Sequence, residues 1–70
     1  MKVIFTRHAQ ERLERRKILK VEIEHALSFP GKIIKKRELY FYRKRFSRGT
    51  IEVVCDRREN LIKVITLYWL

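Results

Sequence analysis

Pro30-Gly31 divides this 70-residue chain into two halves whose apolar residues follow different periods. Proline cannot continue a helix and glycine tolerates the turn that follows, so a helix reaching residue 29 must stop there. Before the break, Thr6 is a suitable N-cap, and a helix from it to about Arg16 places Ala9 and Leu13 toward a core. A second helix spans roughly Lys20 to Phe29 with Val21, Ile23, Leu27 and Ala26 inward, and Ile18 packs where the chain turns between the two. After the break the pattern is that of strands: Lys32–Arg37, Leu39–Phe46, Thr50–Cys55 and Leu61–Trp69. The breaks at Arg37-Glu38, Ser47-Arg48-Gly49 and Arg57-Arg58-Glu59-Asn60 suit hairpins, and Lys2–Phe5 reads as a further short strand. The expected fold is α+β, with element order β-α-α-β-β-β-β and two N-terminal helices on one face of a four- to five-stranded antiparallel sheet.

Seventy residues make one domain, 1–70, with no linker or internal repeat. A chain this short buries only about 60% of its unfolded surface, so the fold must be regular and compact. No apolar run approaches the ~20 residues of a membrane span, and Met-Lys-Val-Ile-Phe reads as a strand rather than a signal peptide. The single Cys55 has no internal disulfide partner, fits a reducing cytoplasm, and reads as a small buried hydrophobe. No Cys/His spacing suits a metal and no glycine-rich loop suits a phosphate, so no cofactor is expected.

The charge points outward. Eighteen Lys+Arg stand against eight Asp+Glu, a net of +10. The excess is concentrated after the break, where eleven basic residues meet four acidic ones, against seven and four before it. Such a field favours a polyanion, nucleic acid being the commonest, although an acidic protein or an anionic membrane surface fits the charge equally. In the first helix, His8, Arg12 and Arg16 follow one another at four-residue spacing, with Arg15 beside them. Like charges at that spacing destabilise a helix by a few tenths of a kcal/mol per pair, so the stripe calls for an anion. The anion is either a carboxylate elsewhere in the fold, with Glu52 and Asp56 the candidates, or a phosphate outside it.

RNA cleavage by its own 2′-hydroxyl needs a proton acceptor, a proton donor and cations around the phosphorus. Histidine suits either proton role and arginine matches phosphate oxygens. His8 with Arg12 is therefore a candidate catalytic pair, and the bland alternative is that His8 packs at the helix start. His25, beside Glu22 and Glu24, reads as structural or exposed. The strand Leu39-Tyr-Phe-Tyr-Arg-Lys-Arg-Phe46 interleaves aromatics with cations, as single-stranded nucleic-acid platforms do, though one aromatic set also suits a core. If Tyr68 shares a face with Ile62, Val64 and Thr66, Trp69 faces the other way, either as an interface residue or folded back on the core.

Arg7-His8-Ala9, Arg12, Arg16 and Ile18, followed by Ala26-Leu27-x-x-Pro30, resemble a small prokaryotic domain family of unknown function that is itself similar to the RelE, ParE and BrnT toxins. Two positions depart from that pattern: Lys17 stands where the family usually has Gly, and Leu19 where it usually has a Ser N-cap, so the inter-helix turn must be built differently. The resemblance implies a RelE-like fold and a basic sheet face on which Tyr68 joins Arg43 and Arg45. Combined with the residue pattern, it gives His8, Arg12 and Tyr68 as the catalytic set and Arg16, Arg43, Lys44, Arg45 and Arg48 as the phosphate-binding set. The expected function is a toxin-like, metal-independent endoribonuclease in the cytoplasm. The alternatives are a non-catalytic RNA- or ribosome-binding module and a basic module that receives an acidic antitoxin-like protein. Expected partners are RNA or the ribosome, such an acidic protein, and a second copy of the chain.

Overall fold

The computed structural model describes residues 2–70. Its elements are β1 (Lys2–Phe5), α1 (Arg7–Arg16), α2 (Lys20–Ser28), β2 (Lys32–Lys36), β3 (Leu39–Phe46), β4 (Gly49–Arg58) and β5 (Leu61–Trp69). The strands form a single sheet in the order β1-β5-β4-β3-β2. Three hairpins make β2 to β5 antiparallel, but β1 pairs with β5 in parallel. The sheet is therefore mixed, which corrects the antiparallel expectation. The reason is parity. Two helices return the chain to the end where β1 finished, so β2 runs against β1, and three reversals then bring β5 alongside β1 in the same direction.

Both helices cover one face. Ala9 and Leu13 of α1 and Ile23 and Ala26 of α2 meet Tyr42, Ile51, Val53, Cys55, Ile62, Val64 and Leu67 in one core. The α1 helix lies over β5 and β1, and α2 over β3 and β4. Val21 does not point inward; it is 63% exposed. On a helix, residues two apart lie about 200° apart, so Val21 and Ile23 cannot share a face.

The two helix junctions solve their caps differently. Thr6 Oγ1 accepts the Ala9 N–H at 3.0 Å and donates to the Ile65 carbonyl at 3.1 Å, tying the start of α1 to β5. At its end Lys17 adopts the left-handed conformation (φ 56°, ψ 47°). Its N–H bonds the Glu14 carbonyl, and the Ile18 N–H reaches the Leu13 carbonyl at 2.9 Å. This is a Schellman closure with lysine where glycine is ordinarily found, completed by buried Leu13 and Ile18. Leu19 then starts α2 without any side-chain acceptor, and Glu22 supplies the missing half by accepting the Leu19 N–H at 3.0 Å.

A bulge in β5 sets the faces of the last strand. Cys55 pairs with Val64 and Val54 with Thr66, leaving Ile65 as the extra residue. Side-chain alternation therefore inverts within β5. Ile62 and Val64 face the core before it; Leu67 and Trp69 do so after it. Tyr68 and Thr66 consequently occupy the open face, on the opposite side from Ile62 and Val64, so the condition that all four share a face is not met.

Candidate functional site

The open face of the sheet carries the side chains at positions 41, 43 and 45 of β3, 50, 52 and 54 of β4, and 66 and 68 of β5, by alternation from the core residues. At its centre Glu52 is 5% exposed, the one charged residue among the buried ones described. A buried carboxylate needs partners. Its neighbours on both flanking strands provide them: Arg43 Nε donates to Oε1 at 3.1 Å, and the Tyr68 hydroxyl donates to Oε2 at 3.0 Å. Burial, and then the hydrogen bond to Glu52, push the Tyr68 hydroxyl above the usual tyrosine range, so it keeps its proton. A shallow hollow of about 230 Å³ lies beside this trio, lined by Ile34, Lys36, Phe41, Arg43 and Glu52.

His8 sits on the first turn of α1, at the margin where the helix meets this face. Its Nε2 is 3.1 Å from Thr66 Oγ1 and receives Arg12 Nε–H at 3.3 Å. While Arg12 donates, Nε2 is an acceptor and the ring proton lies on Nδ1. A proton on Nε2 would instead turn to Thr66 and release Arg12. Among the described residues neither Nη group of Arg12 has a hydrogen-bond partner. Neither Arg12 nor the other α1 arginines meet a carboxylate: among the described residues the ion pairs are Arg43–Glu52, Arg48–Glu22 and Arg58–Asp56. Glu52 and Asp56 thus pair with arginines of the sheet, and the stripe of α1 remains uncompensated.

The remaining candidates separate. Arg45 is exposed on the open face, near Thr50. Lys44, one residue earlier, points to the helix side of the sheet. The Arg16 side chain is exposed at the end of α1, and its carbonyl accepts the Trp69 Nε1–H at 3.1 Å. Arg48 is engaged elsewhere: its Nη2 grips both Glu22 oxygens at 2.6 and 2.7 Å, Nη1 donates to the Lys17 carbonyl, and its guanidinium lies 5.1 Å from the Trp69 ring. That arrangement joins the β3–β4 turn to both helices, away from His8. Trp69 packs back against the core rather than projecting from it. His25 is exposed and lies against Phe29, with ring centroids 5.1 Å apart and the rings tilted by 46°.

Thr66 and Glu52 are the two site residues that sequence reading did not place there. Glu52 had a signal, a carboxylate inside the most strand-like apolar run, Thr50–Cys55. Thr66 had none, because its position depends on the bulge. Cys55 is fully buried and desolvation pushes its thiol up to about 11, which makes it a poor nucleophile. Among the described residues no group of three or more His, Cys, Asp or Glu could hold a metal ion, and no helix is long and apolar enough to cross a membrane.

Two helices on one face of a five-stranded mixed sheet, with a basic margin at α1, define a small α+β domain. Residues 5–69 match the family described as "Domain of unknown function (DUF4258)", and the chain belongs to that family. No curated protein and no solved structure matches it. The family match agrees with the small uncharacterised domain family seen in the sequence motifs and makes no link to RelE, ParE or BrnT.

Proposed function

We propose that the chain is a toxin-like endoribonuclease of RelE-like fold, acting in the cytoplasm on RNA without a metal ion. The observation that carries this reading is the state of α1. Among the described residues its arginines meet no carboxylate, and its histidine is exposed, held by side chains and hydrogen-bonded to one of those arginines. In this reading His8 takes the proton of the 2′-hydroxyl, and Arg12 holds the phosphate through its unused Nη groups. The 2′-oxygen bonds to phosphorus, the 5′-oxygen leaves with a proton, and the products end in a 2′,3′-cyclic phosphate and a 5′-hydroxyl. Tyr68 is the donor in this reading, its hydroxyl turning from Glu52 to the leaving 5′-oxygen. Arg16 and Arg45 contact phosphates on either side.

The test is incubation of the pure protein with labelled RNA in EDTA, free and on ribosomes. Cyclic-phosphate ends are expected. The His8→Ala change should lower the rate about 100-fold or more with RNA affinity nearly intact. No product from any RNA overturns the catalytic reading. It then favours a second one, a non-catalytic RNA- or ribosome-binding module. A specific observation supports that alternative: the Tyr68 hydroxyl is already given to Glu52, and among the described residues only Thr66 and Arg12 are bonded to the His8 ring.

A further inference from the structure

Arg57 is held in place without being neutralised. Arg43, Arg48 and Arg58 are each fixed by a carboxylate. Arg57 is fixed by neutral groups instead. Its Nη1 donates to the hydroxyl of buried Tyr42 at 3.0 Å, and its guanidinium carbon lies 4.7 Å from the Tyr40 ring centre. Lys35 Nζ lies 5.5 Å from that same ring. An exposed arginine ordinarily loses rotamer freedom when a ligand immobilises it. At Arg57 the packing has already imposed that order, and the charge and the remaining N–H donors stay available.

The strand register makes room for a ligand. The β3–β4 ladder begins at Tyr40–Cys55, while β4 continues through Arg57 and Arg58, paired there with β5. Beside the β2–β3 turn this leaves a notch of about 270 Å³, lined by Lys35, Tyr40 and Arg57 together with Glu38, Asp56 and Arg58. Asp56 is engaged by Arg58 at 3.4 Å. Glu38, exposed in the turn, forms no ion pair among the described residues. The notch lies three residues along β4 from Val54, the partner of Thr66, and Arg57 is on the opposite face of the sheet.

We propose that Arg57, Lys35 and Tyr40 form a phosphate-binding point for a nucleotide chain, separate from α1 and independent of whether His8 performs chemistry. The guanidinium contacts the phosphate oxygens, Lys35 adds charge, and Tyr40 holds both cations to one side. The probes are inorganic phosphate, a short oligouridylate with a 5′-phosphate, and the same oligomer with a 5′-hydroxyl. Each is titrated into the full chain while backbone and arginine Nε–H resonances are followed. Saturable shifts centred on Arg57, Tyr40 and Lys35 are expected with all three. Preference for the phosphorylated oligomer assigns a terminal phosphate, and equal binding assigns the diester. Arg57→Gln should weaken binding about tenfold, the value of one charge-assisted bond pair. Arg57→Lys should weaken it several-fold, because charge survives without the fixed fork, and Lys20→Gln on α2 should leave it unchanged. Arg57→Lys also carries the test if Arg57→Gln leaves the Tyr42 hydroxyl unpaired and the protein unfolded. Non-saturating shifts spread over all lysines and arginines overturn the proposal. So does an Arg57→Lys protein that binds like the parent, or binding of inorganic phosphate with no binding of either oligomer.

Discussion

The two helices lie on the same sheet, are nearly equal in length, and are held by opposite means. The start of α1 is secured by Thr6, its end by the Leu13–Ile18 closure and by Trp69 on the Arg16 carbonyl. None of these contacts uses a charged side chain of α1. In contrast, α2 begins at a residue with no acceptor and relies on a charged one, Glu22, which serves both Leu19 and Arg48. The lesson is that a helix anchored through its backbone ends and two apolar residues leaves its charges free for other work. A helix anchored through a salt bridge has spent them on the fold.

Five substitutions and one change of pH break or sharpen that contrast. The largest effect is expected in the core: Leu13→Ala in α1 and Ile23→Ala in α2 should each lower unfolding free energy by about 2–4 kcal/mol in urea titrations. A loss below ~1 kcal/mol for Leu13→Ala would mean that α1 is not part of the cooperative unit. Next come the caps. Thr6→Ala removes an N-cap and a bond to β5 and should cost about 1–2 kcal/mol, whereas Leu19→Ser should add ~0.5–1 kcal/mol to the start of α2. Equal and opposite changes would show that both helices respond to capping alone. Lys17→Gly relieves a left-handed lysine and should raise stability by ~0.5–1 kcal/mol in the same assay. The smallest effect is acid sensitivity. The Arg48 hydrogen bond, and then the Leu19 N–H, hold Glu22 below its usual value near 4.5. A depressed carboxylate contributes stability that is present above its unfolded value and is lost as pH falls through the folded one. Below about pH 4.5, amide exchange should therefore rise at the start of α2 before it rises in α1. Simultaneous loss at both helices would remove the distinction.

Legibility followed local chemistry. Thr6, Ile18 and the Pro30-Gly31 stop announce the helix ends, and each hairpin lies where a polar break interrupts a β-branched run. The strand called β1 was legible as a strand but not as a parallel one, although the parity of two helices and three hairpins implies that direction once β1 joins β5. The bulge was not legible. Leu-Ile-Lys-Val-Ile-Thr-Leu-Tyr-Trp places apolar residues at both parities, so nothing local says where alternation inverts. Hence the cations of α1, which lie within one helix, were visible together. Tyr68 and Arg43 were joined only through the resemblance; Glu52 between them, which depends on the register of three strands, was not visible, and neither was the diversion of Arg48 to Glu22.

The pairing of β1 with β5 also orders events in time. Thr6 and Ile65 bond across 59 sequence positions, so β1 and α1 are synthesised before β5 and must wait for it before β1 can pair and α1 can pack. Closing so long a loop comes late in folding, because its entropic cost precedes its reward. During that wait α1 shows little that is sticky: Ala9 and Leu13 are its buried residues, and most of its remaining surface is charged. The cations that find no carboxylate partner in the fold thus cover the waiting segment with charge until β5 arrives.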